Sequence, residues 1–150
     1  MANVFDVACY ILDKKPSITT MKLQKLCYYC QAWSLAWDEK PLFEEDFLAY
    51  ANGPVCYELY SKHRGEFVAN KSMFEAFLSG ADFTEDEIET MDVVLADYGD
   101  KEPYWLSELT HKERPWKETR GNLPLGARSD AVISKMLIQE YYSGLLTDEE

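Results

Sequence analysis

The sequence predicts a mainly α protein. It reads as a compact single-domain helical bundle over residues 1–150, around a buried central helix at about 21–37, with at most a small two-stranded β element near 47–52. Three observations predict this. Apolar residues make up 47% of the chain and aromatic residues 14%, enough for a substantial core and too much for a disordered chain. The stretch "MKLQKLCYYCQAWSLAW", residues 21–37, is apolar on nearly every side, and such a helix belongs inside a bundle. Helix-start signals recur along the chain, most plainly Thr84 with Glu87 three residues later.

In "NVFDVACYILDKK", Val4, Val7, Ala8, Ile11 and Leu12 share one side of a first helix, with Asn3 as its N-cap. "KPSITT" ends it, and Thr19 or Thr20 caps the central helix. There Leu23, Leu26, Cys27, Cys30, Ser34 and Trp37 line one face, and Tyr28, Tyr29, Ala32, Trp33, Leu35 and Ala36 cover most of the rest. Its polar exceptions, Gln24, Lys25 and Gln31, mark where the helix emerges or where a buried hydrogen bond is made.

Asn52-Gly53-Pro54 then places two chain-breakers in an apolar region. Gly53 can take backbone angles closed to other residues, and Pro54 suits the first turn of a helix. The segment reads as a brief strand over 47–51, a sharp turn, and a new helix to about His63, ended by Gly65. A short helix is predicted within "KSMFEAFLSG". The next runs from its Thr84 cap through Ile88, Met91, Val94, Leu95 and Tyr98 to Gly99. Pro103 opens another, and a shorter one begins after Arg114. The last, capped by Ser129 or Asp130, passes through Ala131, Ile133, Met136, Leu137 and Tyr141.

The net charge of -12 is uneven. Residues 1–75 carry 8 Lys and Arg against 10 Asp and Glu, whereas residues 76–150 carry 7 against 17. Such an acidic second half reads as a solvated helix face or as a surface that attracts a basic partner. Direct nucleic-acid binding is disfavoured, because phosphate neutralisation needs a clustered basic surface. No apolar run has the length of a membrane span or a signal peptide. Cys9, Cys27, Cys30 and Cys56 sit among apolar neighbours, which fits free thiols in a reducing, cytoplasmic setting.

Cys27 and Cys30 form a CxxC, and Cys56 and His63 could complete a zinc set. The pair lies mid-helix, however, away from the helix start that stabilises a thiolate, so the cysteines read as small apolar residues. No nucleophile signature accompanies His63 or His111, no Gly-rich phosphate loop occurs, and no pair of acids stands out. The expectation is a non-enzymatic protein without a cofactor. In "LTHKERPWK", residues 109–117, His111 and Trp116 read as a clasp between two helices or as a binding element.

Taken in order, these pieces resemble the Panacea domain family, also described as phage-associated GepA-like or SocA-like proteins. The resemblance rests on Leu23-Gln24-Lys25-Leu26 with Tyr28-Tyr29, Gln31-Ala32-Trp33, Pro41-Leu42-Phe43, Ala49-Tyr50, Gly53-Pro54-Val55 with Tyr60, and His111 with Pro115-Trp116. It implies an antitoxin that neutralises a cognate toxin, usually encoded by an adjacent gene, through direct protein–protein binding. Some such proteins act instead as adaptors that hand the toxin to an ATP-dependent protease. The implied partner-binding residues are Gln24, Lys25, Tyr28 and Gln31, then Tyr50, Asn52, Gly53, Pro54, Val55 and Tyr60, and finally His111 and Trp116. In this reading Tyr50 and Tyr60 are presented at the surface beside the Gly-Pro corner.

Overall fold

A computed structural model describes residues 1–148. Seven α-helices and a small antiparallel sheet form the described residues: α1 (Val4–Lys14), α2 (Thr20–Trp37), β1 (Phe47–Tyr50), β2 (Gly53–Cys56), α3 (Tyr57–His63), α4 (Glu85–Tyr98), α5 (Pro103–Lys112), α6 (Arg114–Arg120), β3 (Val132–Ile133) and α7 (Lys135–Asp148). The chain is mainly α, as the sequence predicts, and α2 is its axis. Helices α1, α4, α5 and α7 and strand β2 all pack against it.

The predicted helix starts hold where a side chain can reach a backbone N–H. Asn3 and Asp6 form a reciprocal capping box on α1, Thr19 caps α2, and Thr84 with Glu87 forms the box on α4. Along α2 the three polar exceptions are themselves buried. Two of them lie seven residues apart, two helical turns on one face. Each presents an amide that pairs with extended backbone. Gln24 donates to Cys56 O at 3.1 Å and accepts from Cys56 N at 2.8 Å; Gln31 donates to Phe43 O at 2.9 Å and accepts from Leu42 N at 2.7 Å. A buried glutamine satisfied in this way costs little, and it fixes where each extended segment lies along the helix.

Four expectations are corrected. The sheet has three strands rather than two, in the order β2-β1-β3, because Leu48 and Phe47 pair with Val132 and Ile133. The last helix therefore starts later than predicted: Ile133 is buried in the sheet, and Ser134, not Ser129 or Asp130, accepts the cap hydrogen bond from Leu137 N at 3.1 Å. Two β-branched residues with a strand available to pair with override the helical pattern. "KSMFEAFLSG" holds two 3-10 turns, Lys71–Met73 and Glu75–Phe77, instead of a helix.

The fourth correction concerns Pro54. It does not open a helix; it lies in β2, opposite Ala49, and α3 begins only at Tyr57. The hydrogen bonds explain how proline is accommodated in a strand. Ala49 sends its N–H to Ala131 O at 2.8 Å, and its carbonyl accepts from Arg120 Nη1 at 3.0 Å. Neither is turned toward β2, so the ladder asks no N–H of residue 54, the position where a strand tolerates proline.

A clasped hairpin and a candidate partner-binding cleft

The β1–β2 hairpin turns at Ala51-Asn52, and five of its carbonyls are taken by side chains from other elements. Arg120 Nη1 donates to Ala49 O, Trp116 Nε1 to Tyr50 O at 2.8 Å, Ser107 Oγ to Asn52 O, and Lys25 Nζ to Pro54 O at 3.1 Å. Gln24 Nε2 also donates to Cys56 O, at the end of β2. A hairpin alone is marginal in water, and buried carbonyls need donors. Here α2, α5 and α6 supply them.

Gly53 makes this arrangement possible for two reasons. Its φ is +115°, a region that favours glycine. A Cβ there would also stand 2.7 Å from Lys25 Cε and 2.8 Å from Thr110 Oγ1. Glycine thus lets the buried lysine pass against the backbone and reach Pro54 O. Lys25 is 1% exposed and has no carboxylate partner among the described residues, and burial lowers its pKa to about 7.

His111 and Trp116 form the clasp foreseen as one of their two readings. Their rings stack at 4.1 Å, and the Arg120 guanidinium lies 4.9 Å from the Trp116 ring. Burial lowers the His111 pKa, so the neutral ring is favoured, and its Nε2 is buried without a partner among the described residues. Behind the clasp, buried Glu113 accepts from Tyr29 and Tyr142, each at 2.7 Å. Burial raises the Glu113 pKa, while those two hydrogen bonds pull it back.

A stability effect of defined sign follows from Glu113. The folded state holds this proton more tightly than the unfolded chain does. Its contribution to stability is therefore lost as pH rises from the ordinary carboxylate value through the raised one. Glu113→Gln keeps an oxygen for both tyrosines and has no proton to lose. Urea unfolding between about pH 5 and about pH 8 is expected to show wild type losing stability relative to this variant as pH rises. Parallel curves would contradict the assignment.

Beside the hairpin lies an open cleft of about 1230 Å³, bounded by α2, β1–β2, α3 and the loop at 126–130. Tyr50, Tyr57 and Tyr60 form an aromatic side, with Tyr50–Tyr60 and Tyr57–Tyr60 centroids 6.4 and 6.3 Å apart. Gln24, Lys25 and His63 provide buried lining. Gln24 Nε2 lies 3.0 Å from His63 Nε2; with the amide donating, the ring accepts and is neutral, in line with the fall in its pKa that burial causes. The charged lining is Lys25, Arg64 and Arg128 against Asp130 alone.

Of the residues singled out in the sequence, Gln24, Lys25, Tyr50, Asn52, Val55 and Tyr60 are brought together in this cleft. Asn52 is exposed, whereas Tyr50 and Tyr60 are half-buried rather than fully presented. Tyr28, Gln31, Gly53, Pro54 and Trp116 are buried, and half-buried His111 stands with Trp116 behind the hairpin. Tyr57, Arg64 and Arg128 add to the lining, and Ser107, Glu113 and Arg120 to the support; sequence reasoning missed all six. No local motif marks them, since each gains its role from a partner distant in the chain.

The cysteines are core residues. Cys27, Cys30 and Cys56 are fully buried, and burial raises each thiol's pKa, which disfavours the thiolate that metal binding needs. Among the described residues, no group of three or more His, Cys, Asp or Glu is placed to hold a metal ion. None of their helices is long and apolar enough to cross a membrane.

Fold and site together define a small helical module that holds a hairpin rigidly beside an aromatic, cation-bearing cleft. The family described as "Antitoxin SocA-like, Panacea domain" matches residues 23–117, and the chain belongs to that family. The matched span includes the hairpin and its clasp from Lys25 to Trp116. Neither a protein of curated function nor a solved structure matches the chain significantly.

Proposed function

We propose that this chain is the antitoxin of a toxin–antitoxin pair, acting in the cytoplasm and neutralising a cognate toxin by direct protein–protein binding rather than by catalysis. Membership of the antitoxin family carries the reading, because the matched span contains every residue singled out for partner binding. The geometry supports it in a second way. A hairpin held through its carbonyls is a preformed surface, and a preformed surface loses little conformational entropy on association.

The test is a growth assay with the neighbouring open reading frame induced alone and then together with this chain. Arrest by the neighbour and rescue by this chain is the expected result. A harmless neighbour, or arrest without rescue, would overturn the reading for that pair. Repeating the rescue in a host lacking its ATP-dependent proteases separates the two modes. Rescue by binding persists there, whereas rescue by delivery to a protease is lost.

A further inference from the structure

We propose that the cleft binds a short acidic peptide segment of the partner protein, with carboxylates met by Arg64 and Arg128 and apolar or aromatic side chains laid against Tyr50, Tyr57 and Tyr60. This rests on the antitoxin reading, since it names the chemistry that the toxin would present.

The first argument is a local reversal of charge. The chain carries a net -12, yet the cleft is lined by Lys25, Arg64 and Arg128 against the single acid Asp130. Exposed Arg114 is held by both Glu118 and Glu140. By contrast, neither Arg64 nor Arg128 takes part in an ion pair among the described residues. On a surface so rich in carboxylates, two guanidinium groups without a carboxylate partner at one cleft can offer forked donors to a carboxylate.

The second argument is preorganisation. The Arg64 guanidinium lies 5.2 Å from the Tyr60 ring, and its Nη2 is 3.4 Å from the Tyr57 hydroxyl. One cation and two aromatic rings thus stand together before anything binds, which places a carboxylate site next to an apolar one. Met21, 39% exposed, and Tyr57, 45% exposed, add uncovered apolar surface to the lining. At about 1230 Å³ the cleft is also larger than the usual range of roughly 300 to 1,000 Å³ for a small-molecule pocket. A peptide segment suits that size.

Two other modes fit less well. Strand addition at β2 is obstructed, because Gln24 already takes the N–H and C=O of Cys56, and Lys25 takes Pro54 O. A nucleic acid would follow the cleft outward over a chain that carries 27 acids against 15 Lys and Arg, where its phosphates are repelled. A short peptide ends before it leaves the cations.

Fluorescence polarisation with the full chain tests this. The probes are a fluorescein-labelled peptide of about eight residues alternating Glu and Phe, its Lys–Phe counterpart, and labelled oligouridylate. The Glu–Phe peptide is expected to bind. Raising salt from about 50 to about 300 mM should weaken it. The combined change Arg64→Glu and Arg128→Glu should weaken it at least about tenfold, with an unchanged thermal midpoint because both side chains are exposed. Tyr57→Ala should also weaken binding, through the aromatic side. Equal binding by wild type and the double arginine variant, equal binding of the Lys–Phe peptide, or preference for oligouridylate would each overturn the proposal. Absence of acidic-peptide binding while co-expression still rescues growth would remove the cleft chemistry and leave the antitoxin reading standing. Acidic-peptide binding beside a harmless neighbour would retain the cleft chemistry and remove the toxin as its source.

Discussion

Replacing Arg120 by alanine is expected to lower the unfolding free energy by roughly 4 kcal/mol and the thermal midpoint by about 10 °C. Arg120 is 5% exposed at the end of α6 and makes three hydrogen bonds to carbonyls: Ala49 at 3.0 Å, Pro124 at 3.2 Å and Ala127 at 2.7 Å. Its guanidinium also lies against Trp116. Truncation removes all of these at once and strips a donor from Ala49 O, whose hydrogen bond is buried. The effect should reach the cleft as well, since the chain from Pro124 to Ala127 leads directly into Arg128. Arg120→Lys is expected to recover only part of the loss, because an ammonium on a flexible stem cannot reproduce the planar fork. A loss below about 1 kcal/mol for the alanine variant, measured by urea unfolding, would mean that the three carbonyls find other partners.

Gly53→Ala is expected to cost roughly 3 kcal/mol, from two separable sources. One is the φ of +115°; the other is overlap of the new Cβ with Lys25 Cε and Thr110 Oγ1. Gly65 provides the control, because its φ is +86° and a Cβ there meets nothing within 4 Å. Gly65→Ala should therefore show backbone strain without overlap, at about 1 kcal/mol. Equal losses at the two positions would sink the packing account. Lys25→Ala in the same chain tests the contact directly. The double variant should lose less than the sum of the single losses, by about 1 kcal/mol, because one of the overlapping groups has gone. Additive losses would show that the lysine does not press on Gly53.

How much was legible follows from these residues. Gly53 was conspicuous beside Pro54, but its partners Lys25 and Thr110 lie far away in the chain, so only a turn could be read. Pro54 misleads for a related reason. After a glycine and before an apolar stretch it looks like a helix start; that its N–H is unneeded depends on Ala49 bonding to Ala131 and Arg120. Gln24, Lys25 and Gln31 were recognised as exceptions on an apolar helix, without any means of choosing between emergence and buried hydrogen bonding. Arg120 and Glu113 give no signal, since a charged residue in or next to a short polar helix is ordinarily exposed.

The sequence by itself determined the elements whose causes are local: the caps at Asn3, Thr19 and Thr84, the helix opened by Pro103, and the interior position of α2. Caps act over three residues and amphipathicity over a few turns, so both can be read in one dimension. It also determined the family, because the order of short motifs survives without knowledge of their contacts. Only the tertiary structure decided that β3 is a strand, that Pro54 is a strand residue, that five side chains grip one hairpin, and that Arg64 and Arg128 face one cleft. Each of these depends on a group brought close by folding, where desolvation and the demand for hydrogen-bond partners outweigh local preference.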